Sequence, residues 1–424
     1  MTDLRSALDL LTGQSDLSFT ALFWYTLVCD IPRYACMFVA LALGRSFDRK
    51  ATREWRSPIA GSRVSVIVVG HNEANAVERC VRSLHEQSLQ GFEIVIVSDG
   101  SEDRMAERAD ELVSQGLADR SIVLKLRGGK PAGANLALWA TRGDFIVEVD
   151  CDCSFDRFSI ERIVAPLADP TIGAVSGDIV VRNADHSLIA RFQAIEYMLS
   201  ISVAKRFDDA VSLVRCVSGA FGAFRRDALD DVGGHDAGSG EDFDLTVRLR
   251  AAGWRIAFAG DAVCYTDVPE TLWAFYRQRM RWEGDSIGLR FRKHLRLMLP
   301  GSSRFNLLEA IHQWDFLAFG LFGAVLLPIY VTSLFALYGN FALVVLLAIS
   351  IALSGLNVIM LLLAAIVTGR NVFIPNLIYV PGFTVFNAFV MRTIQLIAYC
   401  QEWFLFRSAR DNYSPPKVRA VNDW

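Results

Sequence analysis

Between Phe341 and Val367 the chain runs without one charged side chain, and few folds can absorb such a segment. An α-helix rises about 1.5 Å per residue, so about 20 apolar residues already cross the hydrocarbon of a bilayer. A core helix of a soluble domain is the competing reading, and it is weak for a stretch this long with no polar face. Phe316–Leu337 reads as a second span, and Phe373–Phe406 is a third apolar region, broken by Pro375, Pro381 and Arg392. A further apolar segment, about Phe19–Gly44, stands near the N-terminus and is interrupted by Asp30, Pro32 and Arg33. It lacks the small-residue cleavage site of a signal peptide. A single bent span is expected there, with a shallow helical hairpin bent at Pro32 as the alternative. Asp30 and Arg33 lie one helical turn apart and could neutralise each other.

The flanks of these segments orient them. Arg45, Arg49, Lys50, Arg53 and Arg56 follow the first, and Arg290, Arg292, Lys293 and Arg296 precede the next. Positive charge stays inside, so both ends of the intervening region are expected in the cytoplasm. The uncharged turn Tyr338-Gly339-Asn340 suits the outer side. Three full spans after the central region would then put the tail outside, whereas Arg407, Arg410, Lys417 and Arg419 argue for inside. The last apolar region is therefore a candidate for a re-entrant or interfacial element. The expected organisation is an N-terminal transmembrane segment over residues 1–52, a cytoplasmic domain over 53–300, and an interfacial and transmembrane region over 301–424, in a multi-pass protein of the plasma (inner) membrane.

Residues 53–300 have the composition of a soluble α/β domain. Val64–Val69, Phe92–Val97, Ile122–Leu126 and Phe145–Val149 read as buried strands, with helices expected over 74–88, 103–115 and 131–141. That alternation predicts a mostly parallel sheet covered on both faces. A net charge of −3 offers no nucleic-acid footprint. The eight cysteines include no CxxC pair, which fits a reducing compartment and argues against a zinc knuckle or a disulfide framework.

Ligands of open parallel sheets bind beyond the carboxyl ends of the strands. Gly70-His71-Asn72-Glu73 follows the first strand, Ser98-Asp99-Gly100-Ser101 the second and Asp150-Cys151-Asp152 the fourth. Any one of these could be a turn or a helix cap; three acid-bearing strand ends in one domain are harder to dismiss. Asp150 and Asp152, two apart just past a strand, can reach one hard cation such as Mg²⁺ or Mn²⁺, which leaves room for substrate phosphates. Cys151 and Cys153 point away from the acids in an extended chain, so a soft metal is not expected. Lys130 follows two glycines at a helix start and suits phosphate contact, or is an ordinary surface lysine. Glu241-Asp242 opens a helix after a glycine-rich stretch, where an acid can also serve as N-terminal helix charge. Gln278, Arg281 and Trp282 share one helix face.

Taken in order, Asn72-Glu73, Asp99-Gly100, Lys130, Asp150-x-Asp152, Ser218-Gly219-Ala220, Glu241-Asp242 and Gln278-x-x-Arg281-Trp282 resemble family 2 glycosyltransferases. The membrane-integrated synthases of hyaluronan, chitin oligosaccharide and cellulose are the nearest in pattern, over about residues 62–285. The resemblance implies a GT-A fold, a Rossmann-like, mostly parallel α/β domain, beside the transmembrane helices. It implies that His71, Asn72, Glu73 and Asp99 hold the nucleotide of the donor, with Lys130 at its phosphate or uracil end. It implies Asp150 and Asp152 as ligands of Mg²⁺ or Mn²⁺, with Asp150 also at the donor. Asp242 becomes the general base beside Glu241, and Arg281 completes the catalytic set. Gly219, Gln278 and Trp282 become acceptor contacts. Two departures stand out: the spans are few and no regulatory domain is evident, which bears on channel formation more than on sugar transfer.

The implied reaction is inverting transfer from a nucleotide sugar, expected to be UDP-linked glucose or N-acetylglucosamine, to a glycan or lipid-linked acceptor. Processive polysaccharide synthesis is expected, with addition of a single sugar as the alternative and an inactive sugar-nucleotide sensor as a third reading that intact Asp99, Asp152 and Asp242 oppose. A nucleotidyltransferase would share the fold without needing the Gln-x-x-Arg-Trp face. Few spans line only a narrow path, so a second copy or an accessory export protein joins the donor, the acceptor and the bilayer among the expected partners.

Overall fold

A computed structural model describes residues 16–35, 38, 61–407 and 415. Its centre is one eight-stranded sheet with the strand order β3-β2-β1-β4-β7-β6-β8-β5. β1 is Val64–Gly70, β2 Glu93–Asp99, β3 Arg120–Leu124, β4 Phe145–Asp150, β5 Ser154–Phe155, β6 Ile172–Val181, β7 Phe221–Arg225 and β8 Arg255–Thr266. β1 runs parallel to β2 and β4, and β2 parallel to β3. β7 is antiparallel to β4 and β6, while β6 and β8 are parallel. The first four strands therefore end on one edge of the sheet.

The first strands are apolar throughout because both faces are covered. Val66 and Val68 of β1 point to a core shared with the helices Val77–His85 and Met105–Ser114. Ile67 and Val69 point to the opposite core, shared with the helix Lys130–Ala140. The helices start a few residues later than periodicity suggests on the first crossover, because His71, Asn72 and Glu73 are held in a turn. Asn72 has φ +60°, a left-handed backbone that asparagine tolerates better than most residues.

Three helices are long and apolar enough to cross a membrane: Glu309–Tyr338, Phe341–Thr368 and Val380–Leu405. The first two form a hairpin. Its return limb ends at the sheet domain, where Arg370 Nη2 meets the buried Asp178 carboxylate at 2.8 Å. The third behaves differently. Near its start Phe383 and Phe386 pack on Phe192 of the domain. At its other end Tyr399 donates to Glu283 at 2.7 Å, and Arg292 meets Glu402 at 2.5 Å. A helix of 26 residues with both ends on one domain lies along that domain rather than leading away from it. Pro415 sits beside Gly129 of the sheet domain.

The N-terminal helix, Asp16–Tyr25 with a π turn over Thr26–Asp30, continues as helix to residue 35. It packs on the outgoing limb, with Tyr330 Oη donating to Leu22 O at 2.5 Å. The ion pair of Asp30 is made at 3.1 Å with Arg392, from the helix along the domain, rather than with Arg33 as local spacing suggests. Gly323 leaves the space that the Arg392 guanidinium fills.

Candidate active site

Three loops at the carboxyl edge are tied to one another before any ligand is considered. Asn72 Oδ1 accepts from Glu102 N at 2.8 Å, joining the turn after β1 to the loop after β2. His71 Nδ1 lies 2.8 Å from Asp99 O. The Asp99 carboxylate accepts from Gly128 N at 2.6 Å and from Gly129 N at 2.8 Å. Gly100 has φ +58° with the Arg127 backbone directly against it, so a side chain there would displace the loop. His71, Asn72 and Asp99 thus build the shelf from which the Lys130 helix starts.

Lys130 gathers the reactive groups. Its Nζ is 2.5 Å from Asp150 Oδ1 and 2.8 Å from Gly219 O. Glu241 Oε1 stands 3.8 Å from the same nitrogen. Asp242 is the second residue of the helix Glu241–Ala251 and accepts from Phe243 N at 2.7 Å and from Gly219 N at 3.3 Å. Gly219 therefore touches Lys130 through its carbonyl and Asp242 through its amide. A Cβ on Gly219 would come within 3.2 Å of Lys130 Nζ and 3.4 Å of Asp242 Cβ, so the turn packs closely between the two residues.

The second group is acidic. Asp152 Oδ2 accepts from Thr266 Oγ1 at 3.3 Å, and its carbonyl accepts from Arg182 at 2.8 Å. Burial, with Asp150 adjacent, raises the Asp152 carboxyl above the usual range. Burial followed by the charges of Asp152 and Asp150 pushes Glu73 up to about 7. Burial likewise raises Glu241, against the pull of Lys130. Crowded carboxylates of this kind favour a bound cation. Among the described residues no group of three or more His, Cys, Asp or Glu side chains is arranged to hold a metal ion. The donor set still fits one: Asp150 and Asp152 offer hard oxygens on one turn, with a single ammonium against them. Cys151 is buried, but Cys153 does not turn away, since its Sγ reaches Asp152 Oδ1 at 3.5 Å. The strand has ended at Asp150, so the alternation of an extended chain no longer applies.

The helix Leu272–Gly288 carries Gln278, Arg281 and Trp282. It docks on the turn that precedes Asp242, with Ser239 Oγ donating to Asp285 at 2.5 Å. Among the described residues Gln278 Oε1 is buried without a hydrogen-bond partner, and Trp282 is partly exposed. Arg279 lies 4.5 Å from the Trp282 ring centroid and pairs with Glu196 at 2.7 Å. Arg279, Lys205 and the Arg182–Asp267 pair escaped the sequence reading. Arg279 sits inside the motif and could have been found there; Lys205 carries no local signal.

Residues 61–284 match the family model described as glycosyltransferase like family 2. The N-acetylglucosaminyltransferase of Azorhizobium caulinodans is 30% identical over 253 residues, covering 55% of this chain and 63% of that protein. The poly-beta-1,6-N-acetyl-D-glucosamine synthase of Staphylococcus aureus is 29% identical over 222 residues, covering 52% of this chain and 53% of that protein. This chain thus spans less than two thirds of the length of these curated relatives. The mannosyltransferase PcManGT of Pyrobaculum calidifontis, solved with GDP-Man and Mn²⁺, superposes with a TM-score of 0.57 at 21% identity, covering 88% of this chain and 98% of that one. At that identity the likeness concerns the fold.

Proposed function

The chain belongs to glycosyltransferase family 2 with a GT-A fold, and from that premise we propose that it is an inverting, metal-dependent transferase moving N-acetylglucosamine from UDP to a growing glycan. The observation that carries this reading is the contact of Gly219 with both Lys130 and Asp242, beside Asp150. It sets a cation for a leaving diphosphate next to a carboxylate able to accept a proton. The names of the relatives from Azorhizobium and Staphylococcus support N-acetylglucosamine over glucose.

In this mechanism the shelf of His71, Asn72 and Asp99 receives the nucleotide. A divalent cation held by Asp150 and Asp152 would supply charge neutralisation on the diphosphate. Lys130 and Arg281 add fixed positive charge as the sugar–phosphate bond breaks. Asp242 takes the proton of the attacking acceptor hydroxyl, and attack opposite the leaving group inverts the anomeric carbon. Trp282 offers an apolar ring face to the acceptor sugar. The sheet domain, proposed over 53–300, faces the cytoplasm of the plasma membrane.

We place repeated addition first, because the Gln278–Trp282 element accompanies chain growth in the enzymes this sequence resembles. The helix along the domain favours the second reading, single transfer to a lipid-linked acceptor, since it leaves fewer helices to line a path. Purified protein incubated with UDP-N-acetylglucosamine or UDP-glucose and Mg²⁺ or Mn²⁺ tests both. Released UDP with long products at low conversion supports the proposal. Uniform single additions favour the alternative, and no UDP release from either donor refutes the assignment.

A further inference from the structure

Lys205 stands in the helix Ala204–Ala210, behind the turn that carries Gly219. Its Nζ donates to Ser218 Oγ at 2.6 Å and to Ser176 Oγ at 3.0 Å. Ser218 N donates to the same Ser176 Oγ at 3.2 Å. One ammonium therefore closes a ring that joins β6 to the Ser218–Gly219 turn. The next residue, Gly219, presents its amide to Asp242 and its carbonyl to Lys130.

We propose that Lys205 is a positioning residue for the transfer step, which fixes the Ser218–Gly219 turn so that Asp242 is held in line with Lys130. The proposal rests on the assignment of Asp242 as the base.

A space-filling role alone explains this lysine poorly. Lys205 is half-buried, and its ammonium gives up hydration there that a methionine of similar length would not lose. Burial does lower the Lys205 pKa, against the pull of Cys216, Asp242, Asp178 and Asp208. Three of those four groups are accounted for otherwise. Asp178 pairs with Arg370, and Asp208 with Arg215 at 3.1 Å. The Cys216 thiol is pushed far up by burial and stays neutral. Asp242 has no ion pair within 4.0 Å among the described residues, so Lys205 is a cation whose field falls on the proposed base. The two serines convert that charge into a fixed direction for one backbone turn. Misplacing a reacting group by about 1 Å can lower a rate about 100-fold, so a turn this close to Asp242 has leverage on kcat.

The test uses the full-length protein in detergent with UDP-N-acetylglucosamine and Mn²⁺. Lys205→Met is expected to lower kcat about 10- to 100-fold while the donor KM stays within about twofold. Lys205→Arg, which keeps the charge and can reach a serine, should recover most of the loss, and Ser218→Ala should reproduce part of it. In the Asp242→Asn background Lys205→Met should add no further loss, because both act through one carboxylate. Should Lys205→Met not fold, Ser218→Ala and Lys205→Arg still decide, since an unchanged kcat in Ser218→Ala overturns the proposal. An unchanged kcat in Lys205→Met beside an inactive Asp242→Asn overturns it alone, as does a full additional loss in the double variant. Normal turnover in Asp242→Asn overturns the base assignment and the Lys205 proposal together.

Discussion

Replacing Asp242 by asparagine isolates proton transfer from everything else this residue does. Asp242 Oδ1 accepts from Phe243 N at 2.7 Å, and Oδ2 from Gly219 N at 3.3 Å. The amide of asparagine can keep its oxygen on the shorter bond and turn its NH₂ toward Gly219. One weak hydrogen bond is then lost, about 1 kcal/mol of stability. Lys130 is held by Asp150 and the Gly219 carbonyl, neither of which involves the exchanged carboxylate. Donor binding should therefore stay within about fivefold, the change in affinity that about 1 kcal/mol corresponds to. A positioned general base is worth about 10²- to 10⁴-fold, or about 2.7–5.4 kcal/mol in the barrier. The expected signature is a loss of kcat of that size with donor affinity retained, read from UDP release and from titration with UDP-N-acetylglucosamine in Mn²⁺. Turnover within about tenfold of the wild type, or a parallel loss of donor affinity, refutes the assignment.

Removal of metal by EDTA should stop UDP release, and Asp152→Ala should abolish the Mn²⁺ dependence of donor binding; full activity in metal-free buffer refutes that role. Asp244 is held well below the usual carboxylate range because a hydrogen bond from His294 and the charges of Lys293 and Arg248 outweigh its burial. A depressed folded pKa gives stability that is present above the unfolded value and lost as pH falls, so the wild type should lose stability below about pH 4. Asp244→Asn should show a lower unfolding midpoint at pH 7 and a flatter decline toward acid; an unchanged slope contradicts the pairing. Arg370→Met leaves the buried Asp178 carboxylate with Ser202 as its remaining hydrogen-bond partner and should cost about 3–5 kcal/mol, seen as a lower thermal midpoint in detergent. Asp178→Asn in the same chain should recover part of that loss.

The parts of this fold that were legible are those whose residues answer to their neighbours in sequence. β1, β2 and β4 are continuous apolar runs because helices cover both faces, and such runs survive without context. β6 and β8 were not legible as strands. Gly173, Ser176, Gly177 and Asp178 interrupt β6, and each interruption has a distant cause. Gly177 is small because the Phe221 ring occupies the space, and Asp178 is tolerated because Arg370 arrives from the membrane hairpin. Gly260 in β8 gives way to the Arg206 guanidinium. The site divides in the same way. Asp150, Asp152, Asp242 and Lys130 sit at strand ends and helix starts, where position itself suggests ligand contact. Lys205 acts through two serines at 13 and 29 residues' distance, and no local pattern marks it. The ion pair of Asp30 with Arg392 is hidden for the same reason, since the two lie 362 residues apart.

The helix Val380–Leu405 combines an apolar composition with a polar docking face. It is apolar enough to cross a bilayer, yet its last turns lie against the helix Leu272–Gly288, where Gln395 and Tyr399 both bond Glu283. A helix packed on a polar domain must carry polar groups where it meets that domain, even when the rest of it is apolar. Gln395, Tyr399 and Glu402 are those groups. Trp282 immediately precedes Glu283, so the residue proposed to receive the acceptor stands one position from the contact with the apolar helix. Under the proposed function, an acceptor resting on Trp282 would reach Asp242 beside the apolar helices. A glycan carried on a lipid, or one already threaded into the helices, meets this requirement. A free sugar does so only at the expense of association entropy on every cycle.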